Sequence, residues 1–211
     1  MRKKILSVLA AFAAAALLAA LILFVQFKGN AVRAEYELYI GSQADYAQVV
    51  DSLMPHIRHR AAFRFYAKRI GLAKSFKPGH YTLTRGMNVI RIARTIKLGL
   101  QTPVRVTINN VRIPAQLAAK LAAQIEADSA ALMAVLASGP KARELGFDSV
   151  TLFSMFIPDS YEFYWTVTPE ELVGRMKREY DRFWTPERDA LRKRSGLSRL
   201  EVMTLASIVY E

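Results

Sequence analysis

The sequence predicts an α+β protein: an N-terminal transmembrane helix, a small strand–helix–helix–strand module, then a mostly helical lobe. Three observations predict it. Residues Ile5 to Phe27 carry no charge and are almost wholly apolar. Short alternating segments at 35–41, 81–84 and 104–108 read as strands. Elsewhere apolar residues return at helical spacing behind Ser, Thr, Asp and Pro start signals.

At 1.5 Å per residue, a helix over residues 5–27 covers roughly the 30 Å hydrocarbon thickness of a bilayer. Arg2, Lys3 and Lys4 precede it, so the positive-inside rule puts residues 1–4 in the cytoplasm and everything after Lys28 outside the inner membrane. A cleaved signal peptide is the competing reading. Its apolar core usually runs about 7–15 residues and closes on a small-x-small site, which Phe24-Val25-Gln26-Phe27 does not offer.

Residues 35–41 (Glu-Tyr-Glu-Leu-Tyr-Ile-Gly) alternate and form the first strand. Ala44 to Ile57 and Ala61 to Ile70 read as helices parted near Pro55, and Lys77-Pro78-Gly79-His80 turns into a second strand at Tyr81. Val89, Ile90, Ala93, Ile96 and Leu98 mark a helix over Met87–Leu98. Val104–Ile108 is a further strand, with Asn109-Asn110 as a turn. Pro114 opens a helix to Ile125, and Asp128-Ser129 caps another that Gly139-Pro140 ends. Thr168-Pro169-Glu170-Glu171 and Ser198-Arg199-Leu200-Glu201 are capping boxes, with a helix start at Thr185-Pro186 between them. No repeat is apparent.

Composition narrows the function. Of 211 residues, 52% are hydrophobic and 23% charged, which excludes a disordered or collagen-like chain. Lys and Arg number 30 against 18 Asp and Glu, a net +12 that favours a polyanionic neighbour. Placement outside the cytoplasm argues against nucleic acid. The absence of cysteine excludes disulfides, thiolate zinc sites and a Cys nucleophile. His56, His59 and His80 lie apart from any acidic cluster, so no metal site is expected.

Two segments carry candidate chemistry. Residues 150–165 hold Phe153, Phe156, Tyr161, Phe163, Tyr164 and Trp165 around Ile157-Pro158-Asp159-Ser160, either a sugar-stacking strip beside a turn or aromatic core filling. On the final helix, Leu200, Thr204, Ser207 and Glu211 share a face, and Leu205 and Ile208 share a neighbouring one with position 212. A carboxyl packed among those apolar residues stays protonated near neutral pH, as a general acid requires.

In this order the chain carries an N-terminal anchor, Phe76-Lys77-Pro78-Gly79-His80-Tyr81, Phe156-Ile157-Pro158-Asp159-Ser160-Tyr161 and Leu205-Ala206-Ser207-Ile208-Val209. Together these resemble the endolytic murein transglycosylase family (YceG-like lytic transglycosylases) over essentially the whole chain. The resemblance implies a LysM-like peptidoglycan-binding subdomain at residues 36–100 and the N-terminal part of the transglycosylase catalytic domain at 101–211. It implies cleavage of the MurNAc–GlcNAc bond in nascent glycan strands to leave 1,6-anhydro ends, limiting strand length, without metal or cofactor. The family's catalytic Glu falls at the position just after Glu211, outside this chain, and Glu211 is the nearest candidate. Apart from the resemblance, Asp159, Ser160, Tyr161 and Ser207 are the expected substrate contacts, because the Pro158-Asp159-Ser160-Tyr161 turn offers a carboxylate and a hydroxyl and is expected to approach Glu211 at the end of the polar Thr204–Ser207 stripe. The implied partners are peptidoglycan strands, the inner membrane through residues 5–27, and cell-wall synthesis proteins. The alternative is a membrane-anchored module that binds peptidoglycan as a scaffold without cutting it.

Overall fold

The uncharged N-terminal run forms one long helix, α1 (Arg2–Lys28), in a computed structural model that describes residues 2–109 and 111–209. Among the described residues it is the one helix long and apolar enough to cross a membrane, over Ala11–Lys28, and none of that window is buried in the protein. Over Ala11–Val25 its leucines and phenylalanines stand bare, Phe12 at 74% and Leu17 at 72% exposure. Lipid is the medium that such a surface suits.

The chain then divides into two compact α+β units, Met1–Thr102 and Pro103–Glu211. In the first unit, β1 (Tyr36–Ile40) is followed by α2 (Tyr46–Leu53), α3 (Arg60–Arg69), β2 (Gly79–Leu83) and α4 (Val89–Leu98). Asp45 and Gln48 exchange bonds in a capping box at the start of α2, while Pro55 sits in a tight 3-10 turn that ends it. β1 and β2 pair antiparallel from Tyr36↔Leu83 to Ile40↔Gly79. Leu38, Ile40, Tyr81 and Leu83 face a core filled by Val49, Leu53, Phe63 and Ile92. Gly79 has φ of 147°, and a Cβ there would meet the Gln101 side chain at 2.3 Å, so only glycine fits.

In the second unit the order is β3 (Val104–Ile108), α5 (Pro114–Ala122), α6 (Ser129–Leu136), α7 (Gly139–Glu144), β4 (Asp159–Phe163), α8 (Pro169–Phe183), α9 (Pro186–Arg194) and α10 (Arg199–Val209). Two expectations are corrected here. Gly139-Pro140 opens a helix as well as following one, because Ser138 accepts from the Lys141 amide as its cap. Residues 159–163 are a strand, not a turn, paired antiparallel with β3 from Val104↔Phe163 to Ile108↔Asp159. The predicted turn at Asn109-Asn110 includes Asn110, which lies outside the described residues.

A third correction concerns repeats: the two units share one plan. Each runs strand, helix, helix, strand, helix, with β4 following α7 in the second. Tyr36 matches Val104 and Gly79 matches Asp159 in register. The buried pairs Leu38 and Ile40, Tyr81 and Leu83 correspond to Val106 and Ile108, Tyr161 and Phe163. Val49, Leu53 and Ile57 correspond to Leu117, Leu121 and Ile125, and Ile92, Ala93 and Ile96 to Leu172, Val173 and Met176. Asn88 and Thr168 cap the helix that follows each second strand. The same bond locks both strands: Tyr81 Oη donates to the Lys77 carbonyl at 2.8 Å and Tyr161 Oη to the Ile157 carbonyl at 2.7 Å. Removing either hydroxyl strands a part-buried carbonyl. Tyr81→Phe and Tyr161→Phe are each expected to lose about 1–2 kcal/mol of stability by chemical denaturation. A change under about 0.3 kcal/mol in either would mean that the bond contributes nothing.

Candidate functional site

The second sheet turns one face inward and one outward, because side chains alternate along a strand. Val106, Ile108, Tyr161 and Phe163 go in; Arg105, Thr107, Ser160 and Glu162 go out. On the outer face Thr107 Oγ1 and Ser160 Oγ lie 2.9 Å apart, and Arg105 stands opposite Glu162 in register. Asp159 is exposed at the strand start, its Oδ1 accepting from the Ser160 amide at 2.7 Å. The second Asp159 oxygen and the Ser160 hydroxyl are thereby presented at the surface.

Tyr161 is elsewhere. It is 9% exposed and belongs to the core, and burial, with Asp159 and then Glu179 adding negative charge, pushes its phenol up to about 12. Most of the aromatic strip goes the same way. Phe156 and Phe163 are buried and Phe153 is half-buried against Phe156, which leaves Tyr164, 57% exposed, as a ring open to solvent.

α10 is positioned from its N-terminal end. Ser198 and Glu201 close the expected capping box, at 3.2 Å from the Glu201 amide to Ser198 Oγ and 2.7 Å from the Ser198 amide to Glu201 Oε2. Arg199 then clamps the helix: its Nε donates to Asp189 Oδ1 at 3.0 Å, its Nη2 to Asp189 Oδ2, and its guanidinium lies 5.4 Å over the Trp184 ring. Arg192 holds the same carboxylate at 3.1 Å. The Arg199 bond, helped by Arg192 and opposed by burial, holds Asp189 at about 2, well below its ordinary 3.8. Sequence reasoning missed this clamp, although an Asp at the start of one helix with an Arg ten residues on was the available signal.

Only Val202 and Met203 of α10 pack on the core, next to the 3-10 turn Thr151–Met155 that precedes β4. Ser207 is exposed, as are Leu205 at 49% and Ile208 at 66%. The apolar packing expected around position 212 is therefore not supplied by the described residues. Glu211, and with it the expected approach of Asp159 to Glu211, lies outside them. At the foot of α10 an open groove of about 350 Å³ is lined by Phe147, Lys177, Tyr180, Asp181, Arg199 and Leu200 among others.

The outer face of the first sheet is built differently. Tyr39 stacks on His80 at 4.5 Å, and the two ring nitrogens of His80 meet the Thr102 carbonyl at 2.9 Å and Glu37 Oε2. Thr82 Oγ1 donates to the same Glu37 oxygen at 2.9 Å. Among the described residues no three His, Asp or Glu side chains gather as a metal site would require.

Comparison with known proteins gives a family match. The model of the YceG-like family matches residues 38–211. A solved structure, that of a yceG-like protein from Listeria monocytogenes, is similar at 17% identity and a TM-score of 0.41. The similarity covers 77% of this chain and 60% of that one, so the chain spans somewhat less than two thirds of that relative. No curated protein matches.

The clamp has a pH signature. A carboxylate held at about 2 when folded and 3.8 when free contributes stability above about pH 4, and that contribution is lost as pH falls toward 2. Asp189→Asn is therefore expected to unfold more easily than the parent at neutral pH and to converge on it between about pH 4 and 2. A destabilisation that stays constant across that range would show that charge is not the source.

Proposed function

The chain belongs to the YceG-like family, and on that premise we propose that it is part of a membrane-anchored endolytic lytic transglycosylase of peptidoglycan. The observation that carries this reading is the family match running from β1 through α10. The substrate is the MurNAc–GlcNAc bond inside nascent glycan strands, at the outer face of the inner membrane. A protonated Glu gives its proton to the glycosidic oxygen as that bond breaks. The resulting carboxylate takes the proton of the MurNAc 6-hydroxyl, which closes on its own anomeric carbon. No water is consumed, so the product ends in 1,6-anhydro-MurNAc and the enzyme is a lyase.

On this reading the acid follows α10 in sequence, at the position after Glu211, and the Arg199–Asp189 clamp fixes the root of that helix. Asp159, Ser160 and Ser207 are the exposed polar groups offered to the sugar, while Tyr161 supports the strand from behind. The first unit is the glycan-holding module, with the exposed Tyr39 ring as a stacking surface on its sheet.

Digestion of purified sacculi by a version extended past Glu211 tests the proposal. Mass spectrometry is expected to find 1,6-anhydro ends. Reducing ends would make the enzyme a hydrolase, and sacculus binding without turnover would favour the scaffold. Asp159→Ala in that version is expected to cut turnover by about 10- to 100-fold with an unchanged melting temperature. Full activity in that variant would remove Asp159 from the site.

A further inference from the structure

Charge is divided unevenly between the two units. Residues 1–102 hold 16 Lys and Arg against four Asp and Glu, whereas residues 103–211 hold 14 of each. The whole excess of +12 sits in the first unit. From Ser52 to Ile125 there is no acidic residue at all.

α3 concentrates that excess. Its outer side exposes Arg60, Arg64, Phe65, Lys68 and Arg69, while Ala62, Phe63 and Ala67 are buried beneath. Among the described residues no carboxylate pairs with any of these four cations. Phe65 is 66% exposed between them. An exposed large ring set among unpaired cations costs solvation in water and gains at a lipid interface, where ring and charges each find a partner.

The attachment of α1 gives this face a place. No flexible linker follows the helix: the Ala31 amide donates to the Met87 carbonyl at 2.8 Å, and the Arg58 amide donates to the Ala31 carbonyl at 2.8 Å. Val32 bridges Ile57, and both Ala31 and Val32 are fully buried. Phe27, at the end of the apolar helix, meets Phe65 edge-on at 6.1 Å. The cationic stripe therefore starts one ring's width from the point where α1 leaves its apolar span.

We propose that the Arg60–Arg64–Phe65–Lys68–Arg69 face of α3 rests on anionic phospholipid headgroups of the membrane that α1 enters. The first unit then lies against the bilayer in a set orientation. This rests on the reading of α1 as an uncleaved anchor. Peptidoglycan is also anionic, but at this position lipid phosphate is the first polyanion the stripe meets. Each cation near such a surface strengthens attraction by roughly fivefold at low salt.

The chain has no cysteine, so Ala61→Cys, at an exposed position on the same stripe, carries a unique nitroxide in the full-length chain. Its accessibility to a water-soluble nickel chelate is read by electron paramagnetic resonance in reconstituted vesicles. With phosphatidylglycerol as about a third of the lipid, accessibility is expected to fall about threefold below that in pure phosphatidylcholine. About 0.5 M salt, or Arg60→Glu with Arg64→Glu and Lys68→Glu, is expected to restore it. Equal accessibility in the two lipid mixtures overturns the proposal. So does protection by added sacculi that is independent of lipid, which would assign the stripe to the wall polymer. A second label at Leu17→Cys separates the causes: if it reads water, the anchor itself is wrong. If it reads hydrocarbon while position 61 reads water, the headgroup contact alone fails.

Discussion

A pair of antiparallel strands is marginal by itself in water, and both units of this protein are answers to that constraint. In each, helices cover one face of the pair and leave the other bare. The covered face takes Leu38, Ile40, Tyr81 and Leu83 in the first unit, and Val106, Ile108, Tyr161 and Phe163 in the second. Everything else follows from which face is covered. Rings on the inner side become core, and hydroxyls and charges on the outer side become available for recognition. Tyr161 and Ser160 are neighbours in sequence with opposite fates for this reason alone.

Much of the fold was legible because helix ends are written locally. Thr168 with Glu171 and Ser198 with Glu201 close their capping boxes, and Pro114, Pro169 and Pro186 open helices as expected. β4 was not legible, since Pro158, Asp159 and Ser160 are all turn formers, and their strand geometry comes from pairing with the distant β3. The shared plan of the two units was hidden for a related reason. Aromatic and proline positions recur, but aliphatic ones exchange freely, and α7 with its following 3-10 turn lengthens the second copy. Ser207 and Asp159 were found as exposed polar residues. The clamp beneath α10 was not, because an Asp with an Arg ten residues on is a weak signal until the two helices that carry them are seen to meet.

The two ends of the chain are held by opposite means. α1 is joined to its unit by backbone bonds and buried alanine and valine, an arrangement insensitive to salt or pH. α10 is joined by Val202, Met203 and a guanidinium–carboxylate pair, with its last turns standing free. A stiff root suits a helix that sets the height of a unit over a surface.

Two copies of one plan in a single chain also raise a problem of identity during folding, when β1 can meet β4 in place of β2 at only a modest extra cost in loop closure. The outer faces carry the discrimination. In the native pairs Glu37 stands opposite Thr82 and Arg105 opposite Glu162. Exchanging partners in the same register sets Glu37 against Glu162, two carboxylates directly across a ladder, and leaves Arg105 facing a neutral threonine. His80 would lose Glu37 and face Thr107 instead. Most inner residues are interchangeable aliphatics and aromatics that would accept either partner, so it is mainly the polar face that tells each strand which copy it belongs to.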